Sequence, residues 1–372
     1  MSRSELISLF QTESISSFGI KDWDKLLDDA DNHKVTELVF DTVRKTANEG
    51  VPENVICRLK QAYYKTLLCN ICFLGETEEI LKDLTTHKIR CVVLKGVHLA
   101  ERLYNDSGLR NSGDIDLLVE ESSIDKAKDV LLRQGYIEVV EKEINETCSK
   151  HHYHLRKNTS KGPIVVELHF HLTRYSNKYI NLSEIWSRAT TKAVGKAVRS
   201  DLAASDLIFY LCVHSADHGF HTLRTVLDVD QVLKMEGKSV DWKQLVENVK
   251  RYRISTRVYV SLYYAVSLIK VSVPGWVLSE LKPPAYLQKR LAGLKQNELP
   301  KKLDLVTLMM IRQENLTGFL TKMLKYIIQS LFPSVTELRR KYKLDAAKSV
   351  YVYYPIRWFQ LVKKTLFGGA IG

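Results

Sequence analysis

The chain has 372 residues, 45% of them hydrophobic and 26% charged, which is ordinary for a soluble globular protein of two or three domains. No segment approaches the ~20 uninterrupted apolar residues that a membrane-spanning helix needs. The N-terminus has no basic stretch followed by an apolar one, so no secretory signal is predicted and we expect a cytoplasmic location. The one CxxC pair, Cys69 and Cys72, lacks the second pair that a zinc ribbon requires.

The formal net charge of +12 is unevenly distributed along the chain. Residues 281–372 contain 17 Lys+Arg and 5 Asp+Glu, so the excess in this last quarter equals that of the whole chain. A basic region of this kind can bind nucleic acid or an anionic surface, or it can be a set of solvated basic helix faces. The composition leaves these interpretations open.

Helical patterns begin and end the chain. Residues 1–88 carry apolar side chains at three- and four-residue spacings, and Gly75 is expected to divide the long stretch after Pro52 into two helices. Short apolar runs then alternate with amphipathic helices, which predicts an α+β core with a mixed β-sheet over residues 89–200. Helices return in residues 201–280, predicted to pack on this core, and continue through the basic region 281–372.

The stretch Arg110–Val119, which reads RNSGDIDLLV, places two acids on a predicted strand. Asp114 and Asp116 are two residues apart, so their side chains point to the same face. Paired carboxylates beside an apolar core are costly unless a cation neutralises them, and the usual cation is a divalent metal with oxygen ligands. Taken alone, the two acids fit a solvated strand end equally well.

Glu167 adds a third acid inside the strongest β pattern of the chain, Ile164–Phe170. Two-metal phosphoryl or nucleotidyl transfer needs about this set of carboxylates, with the two ions ~3.5–4 Å apart. The predicted catalytic residues and ligands of Mg²⁺ or Mn²⁺ are therefore Asp114, Asp116 and Glu167.

A glycine turn and two cations precede these acids. Lys95 and Gly96 follow the predicted strand Arg90–Leu94, where backbone N–H groups and an ammonium can meet phosphate oxygens. Arg110 is a second predicted phosphate ligand. The alternatives are a plain turn glycine beside a solvated lysine, and a solvated loop arginine.

This combination resembles the DNA-polymerase-β-like nucleotidyltransferases, in which a strand ending in Gly, a helix, a Dh[DE]h strand and a later acid follow in this order. More closely, the runs LKGVHLAERLYNDSGLRNSGDIDLLV, VVELHFHL and LCVHSADHGFHTLRTVLDV resemble a bacterial nucleotidyltransferase family long left uncharacterised, of the NTP_transf_5 type, over about residues 35–270. The resemblance implies a polymerase-β-like core that binds an NTP such as ATP. It implies that Asp114 and Asp116 bind metal, that Glu167 is the third carboxylate, and that the nucleotide phosphates lie at Lys95, Gly96 and Arg110.

The histidines allow three interpretations. His214, His218 and His221 share a helix face if the helix continues past Gly219. These histidines can form a zinc site, or they can hydrogen-bond between helix and sheet. The resemblance suggests a third option, in which this helix packs behind the acid strands and His214, His218 or Asp228 approaches the acids. In the first of these interpretations, the zinc site would also include His151, His152, His154, His169 and His171. His169 shares a strand face with Glu167 and is expected to orient it.

The predicted function is metal-dependent transfer of an NMP from an NTP to an acceptor hydroxyl of a small molecule, protein or RNA. The wider superfamily has Gly-Ser where this chain has Lys95-Gly96-Val97, and the separation of Gly96 from Asp114 is longer than usual. These departures motivate a second hypothesis, a catalytically inactive nucleotide-binding or partner-binding module with the same fold.

Overall fold

The computed structural model describes residues 5–11, 20–46, 50–139, 151–173, 179–291, 303, 305–313, 316–342 and 349–359. The chain divides into two compact units, Met1–Arg312 and Gln313–Gly372. The predicted α+β class with a mixed sheet and helical flanks is confirmed in the first unit. Among the described residues, no helix has the length and apolar character needed to cross a membrane.

Four helices open the chain: α1 (Glu5–Leu9), α2 (Trp23–Asn32), α3 (Thr36–Lys45) and α4 (Glu53–Thr86). The predicted break at Gly75 is wrong, because α4 runs through it as one helix of 34 residues. A glycine inside a helix costs only about 1 kcal/mol relative to alanine. The buried side chains at both ends of α4, such as Leu59 and Leu84, outweigh that cost.

Seven strands form one mixed sheet in the order β3-β4-β5-β2-β1-β7-β6. They are β1 (Cys91–Val93), β2 (Ile115–Val119), β3 (Ile137–Glu138), β4 (His152–Thr159), β5 (Gly162–His169), β6 (Thr190–Val194) and β7 (Ala197–Asp201). The pairs β2–β5 and β1–β7 are parallel and the others are antiparallel. The sequence patterns did not predict β6 and β7, and of the predicted third strand Tyr136–Val140 only two residues pair, while Val140 lies outside the described residues.

The remaining helices of the first unit connect and flank the sheet. They are α5 (Val97–Tyr104), α6 (Ile124–Arg133), α7 (Leu182–Arg188), α8 (Ala204–Asp217), α9 (Leu223–Glu236), α10 (Trp242–Arg251), α11 (Ser255–Tyr264), α12 (Gly275–Glu280), α13 (Ala285–Leu291) and α14 (Leu305–Gln313). The second unit contains α15 (Leu316–Leu331) and α16 (Val335–Tyr342), and residues 353–359 are also helical.

The sheet separates two hydrophobic cores. On one face, Ile115, Leu117 and Val119 pack with the C-terminal part of α4 and with α6. On the other face, Leu118 and Val92 join a larger core built from the N-terminal helices and from α8 to α14. Because strand side chains alternate, Asp116 points to the face of Leu118, toward the larger core. The N-terminal helical region and residues 201–280 share this core, so they pack together beside the acid-bearing face.

Candidate functional site

Three carboxylates come together on β2 and β5. The two strands are parallel, and Asp116 lies directly opposite Glu167 in their register. Asp114 immediately precedes β2 and, two residues before Asp116, points to the same face. The Asp116 side chain is completely buried, whereas those of Glu167 and Asp114 are 21% and 34% exposed. The set therefore lies at the rim of the core, open on the side of Asp114.

Lys95 lies between the two aspartates. It follows β1, the antiparallel neighbour of β2, and its Nζ is 2.6 Å from Asp116 Oδ2 and 3.7 Å from Asp114 Oδ2. Burial alone would lower the pKa of Lys95, but the carboxylates of Asp116, Asp114 and Glu167 raise it above its usual value. The ammonium is therefore held charged and neutralises part of the acid cluster.

The three carboxyl groups differ in their proton affinity. Burial and the neighbouring charge of Asp116 raise the pKa of Asp114 to about 6. Burial acts in the same direction on Asp116, yet Lys95 and the hydrogen bond from His169 lower its pKa below the usual value. The pKa of Glu167 is also lowered: burial opposes this, but His169 and Lys95 outweigh it. Asp114 is thus the carboxylate of this set that takes up a proton most readily.

His169, on β5, contacts one acid on each of the two strands. Its Nε2 is 3.2 Å from Asp116 Oδ1 and 3.3 Å from Glu167 Oε2. Burial lowers the pKa of His169, but hydrogen bonds to Asp116 and Glu167 raise it more, so the net shift is upward. The ring contacts both carboxylates, and its orienting role stays a prediction.

Gly96 allows the chain to turn closely past the acid strand. Its φ of +76° and ψ of −141° lie in a region essentially closed to residues with a side chain. A Cβ at this position would lie 3.0 Å from the carbonyl oxygen of Asp114. The glycine therefore sets the distance between the N-terminus of α5 and the start of β2.

Arg110 lies behind this turn and apart from the open side of the cluster. It is buried, its Nη1 donates to the Gly96 carbonyl oxygen at 2.8 Å, and its Nε and Nη2 donate to the Asp228 carboxylate. These contacts engage three of the guanidinium donors with protein groups. Asp228, on α9, is thus linked to the turn through Arg110.

His214, His218 and His221 do not share one helix face. Helix α8 ends at Asp217, and Gly219 and Phe220 both have positive φ, so the condition for a shared face, a helix that continues past Gly219, is not met. His214 is half-buried, and burial together with the charges of Lys95 and His218 lowers its pKa well below the usual value. The charge of Lys95 in the acid site therefore contributes to keeping the His214 ring neutral.

A second group of histidines lies on the strands. Three sets of side chains in the described part of the chain place all their ligand atoms within 4.8 Å of one another. Helical histidines belong to none of these sets, so the described residues do not form the combined zinc site of α8 and the strands. The sets are Asp116/Glu167/His169, His152/His154/Glu167 and His151/His152/His169. Sequence reasoning identified these histidines but could not pair His154 with Glu167, because the register of β4 against β5 is not visible in a sequence.

A family model described as "Uncharacterised nucleotidyltransferase" matches residues 20–270 of the chain. No curated protein matches. A solved structure titled "Crystal structure of an antigenic nucleotidyltransferase-like protein from Paracoccidioides brasiliensis" is 12% identical, with 59% of this chain and 96% of that chain covered and a TM-score of 0.34. The family match covers more than half of the chain and includes all three acids, Lys95 and His169. The chain therefore belongs to the family of uncharacterised nucleotidyltransferases.

Proposed function

We propose that this chain transfers a nucleoside monophosphate from an NTP to an acceptor hydroxyl, with Mg²⁺ or Mn²⁺ bound at Asp114, Asp116 and Glu167. The observation that carries the proposal is the register of β2 and β5, which sets Asp116 beside Glu167 with Asp114 two residues before. A cytoplasmic location and an NTP such as ATP fit this activity, and both are part of the proposal.

The donor set suits a hard divalent cation. Oxygen atoms of Asp116 and Glu167 and a nitrogen of His169 lie within 4.8 Å of one another, and a positive charge, the Lys95 ammonium, already lies 2.6 Å from Asp116. Carboxylate oxygens are the ligands that Mg²⁺ and Mn²⁺ prefer. When bound, such ions neutralise charge on the phosphates and polarise the acceptor oxygen.

The chain's own residues bind and orient the reactants. In the proposed reaction the acceptor oxygen forms a bond to the α-phosphorus, the bond from that phosphorus to the bridging oxygen breaks, and pyrophosphate leaves. The hydroxyl proton passes to a carboxylate oxygen of the site and then to water. Lys95 pairs with phosphate oxygens, Gly96 lets backbone N–H groups approach them, and Arg110 supports the turn from behind. His169 positions Asp116 and Glu167, and neutral His214 borders the nucleotide.

The substitution Asp116→Asn tests this proposal. Purified protein is incubated with each radiolabelled NTP and cell extract, and the labelled acceptor is identified. We expect transfer by the wild type, loss of at least about 100-fold in Asp116→Asn, and no change in Asp125→Asn, an exposed acid on α6. Thermal unfolding confirms that both variants are folded. Equal transfer by Asp116→Asn and the wild type would refute the proposal.

Lys95 supports a second candidate, a nucleotide-binding module without catalysis. Its ammonium already neutralises the two aspartates that would otherwise bind a metal. Calorimetric titration with each NTP plus Mg²⁺ separates the candidates. Binding without turnover across a broad acceptor panel favours the module, and turnover with any acceptor excludes it.

The partner of the basic C-terminal region is also a proposal. Within the basic region 281–372, residues 313–372 form the second compact unit and contain 10 Lys+Arg and 3 Asp+Glu. We propose that this unit binds nucleic acid such as tRNA. A gel shift that weakens with salt and disappears on truncation after Arg312 is the expected result, and no shift at low salt contradicts it.

A further inference from the structure

Two histidines of β4 lie beside the carboxylates on the same face of the sheet. In the antiparallel register of β4 and β5, His154 is opposite Glu167 and His152 is opposite His169. Because Glu167 is in turn opposite Asp116 on β2, one row across the three strands reads His154, Glu167, Asp116. The imidazoles of β4 therefore extend the acid site toward the edge of the sheet.

The ring nitrogens of these histidines converge. His154 Nε2 lies 3.5 Å from Glu167 Oε1 and 2.5 Å from His152 Nε2. The other ring nitrogen of His152, Nδ1, lies 2.7 Å from His151 Nε2. His152, His154 and Glu167 are each half-buried, so an ion can reach them from solvent.

Glu167 faces both groups with different oxygen atoms. Oε2 is directed to His169, which also contacts Asp116, whereas Oε1 is directed to His154. One carboxylate can therefore serve two neighbouring cations, one on each side. The ligands on the two sides differ, because carboxylates predominate on the side of Asp116 and imidazoles on the side of His154.

We propose that His152, His154 and Glu167 form a second metal site, selective for a transition-metal ion of the Zn²⁺ class. Two imidazoles and one carboxylate are a ligand set of catalytic zinc sites, which keep an open position for water or substrate. Imidazole nitrogen favours Zn²⁺ and Co²⁺ over Mg²⁺, which prefers oxygen ligands. This site shares Glu167 with the proposed Mg²⁺ or Mn²⁺ ligands, but its two imidazoles belong to it alone and define it whether or not the chain transfers nucleotides.

Co²⁺ and Zn²⁺ binding to the chelator-treated full-length protein tests the inference without any activity assay. We expect one equivalent of Co²⁺ to bind with visible d–d absorption in the presence of excess Mg²⁺, and Zn²⁺ to displace it. His152→Ala and His154→Ala should each weaken Zn²⁺ binding by about 10–100-fold or more. Substituting even a residue that only hydrogen-bonds to a metal ligand typically causes a loss of this size. If an alanine variant does not fold, His152→Gln and His154→Gln replace it.

Two further variants separate this site from its neighbour and from general histidine effects. Asp116→Asn removes an acid outside the proposed ligand set and should retain the Co²⁺ spectrum. His87→Ala removes an exposed imidazole at the end of α4 and should also leave binding unchanged. The inference is overturned if the wild type binds no Co²⁺, if binding persists in both β4 histidine variants, or if Asp116→Asn abolishes it.

Discussion

Arg110 and Asp228 form a buried, bidentate ion pair, in which Nε of the arginine lies 2.9 Å from Oδ1 of the carboxylate and Nη2 lies 2.9 Å from Oδ2. The hydroxyl of Tyr104 also donates to Asp228, at 3.0 Å. Because Arg110 Nη1 holds the Gly96 carbonyl oxygen, the pair ties α9 to the glycine turn in front of β2. The position of this turn therefore depends on a residue more than 100 positions away in sequence.

Replacing Asp228 by Asn should destabilise the chain strongly. Removing one partner of a buried ion pair leaves the other charge uncompensated, at a cost of ~3–5 kcal/mol in the free energy of unfolding. Urea denaturation measures this loss. As a control, Glu79→Gln breaks the exposed pair with Lys82 and should cost at most about 1 kcal/mol. The double variant Arg110→Met/Asp228→Leu should recover most of the loss, and a single Asp228→Asn variant as stable as the wild type would contradict the role of the pair.

Gly96 and Gly75 should respond in opposite ways to alanine. At Gly96 the backbone conformation excludes a side chain and a Cβ would press on the Asp114 carbonyl oxygen, so Gly96→Ala should cost about 1–3 kcal/mol. At Gly75, inside α4, a Cβ meets nothing within 4 Å, so Gly75→Ala should stabilise by up to about 1 kcal/mol. Thermal and urea unfolding of the two variants test both signs. If the two substitutions change the free energy of unfolding equally, the backbone conformation of the turn does not require glycine at position 96.

Local patterns were sufficient to predict the elements around the acids. The apolar run Ile115–Val119 with its two acids spaced two residues apart, the glycine after β1 and the β-branched run of β5 have direct physical signatures in sequence. The hairpin of β6 and β7 lacks such a signature, because its first strand, Thr190–Val194, is largely polar and solvent-facing. Its place in the sheet depends on the parallel pairing of β7 with β1, a contact distant in sequence.

The partners of the site residues were harder to predict than the residues themselves. The short spacing of Asp114 and Asp116 fixed their common face, and Glu167 was identifiable as an acid inside a strand. The pairing of Arg110 with Asp228 and of His154 with Glu167 depends on how distant elements pack. Residue types alone could not distinguish an arginine that faces phosphate from one that supports the turn.

The raised pKa of Asp114 predicts a pH dependence of cation binding. With a pKa of about 6 in the metal-free protein, this carboxyl is mainly protonated at pH 5, and the proton must leave for a cation to bind. Mn²⁺ affinity should therefore increase about fivefold from pH 5 to pH 6, reach about ten times its pH 5 value at pH 7 and level off above that. Calorimetry in buffers of different ionisation enthalpy should detect the released proton.

Two variants isolate the contribution of Asp114 to this pH dependence. Asp114→Asn should flatten the curve in that range, whereas Glu167→Gln should retain the slope, because the pKa of Glu167 is already lowered. The raised pKa of Asp114 also means that the metal-free fold binds this proton more tightly than the unfolded chain. That part of its stability is therefore lost as the pH rises from about 4 to 6. A wild-type affinity that does not change between pH 5 and 7 would contradict the prediction.

Lys95→Met should make the fold depend on a divalent cation. In the metal-free wild type, the Lys95 ammonium is the positive charge closest to Asp116, and it also faces Asp114. Its removal leaves buried carboxylates uncompensated, which should cost ~3–5 kcal/mol in the presence of a chelator. A cation that binds only the folded state stabilises it by RT ln(1 + [L]/Kd), so saturating Mn²⁺ should restore much of this loss. In the wild type, where Lys95 already supplies a charge, Mn²⁺ should raise the melting temperature less.

Lys82→Met, at an exposed pair on α4, is the matched control and should show neither effect. If Lys95→Met is stable in chelator and insensitive to Mn²⁺, then the lysine does not occupy a cation position and the acids do not require one.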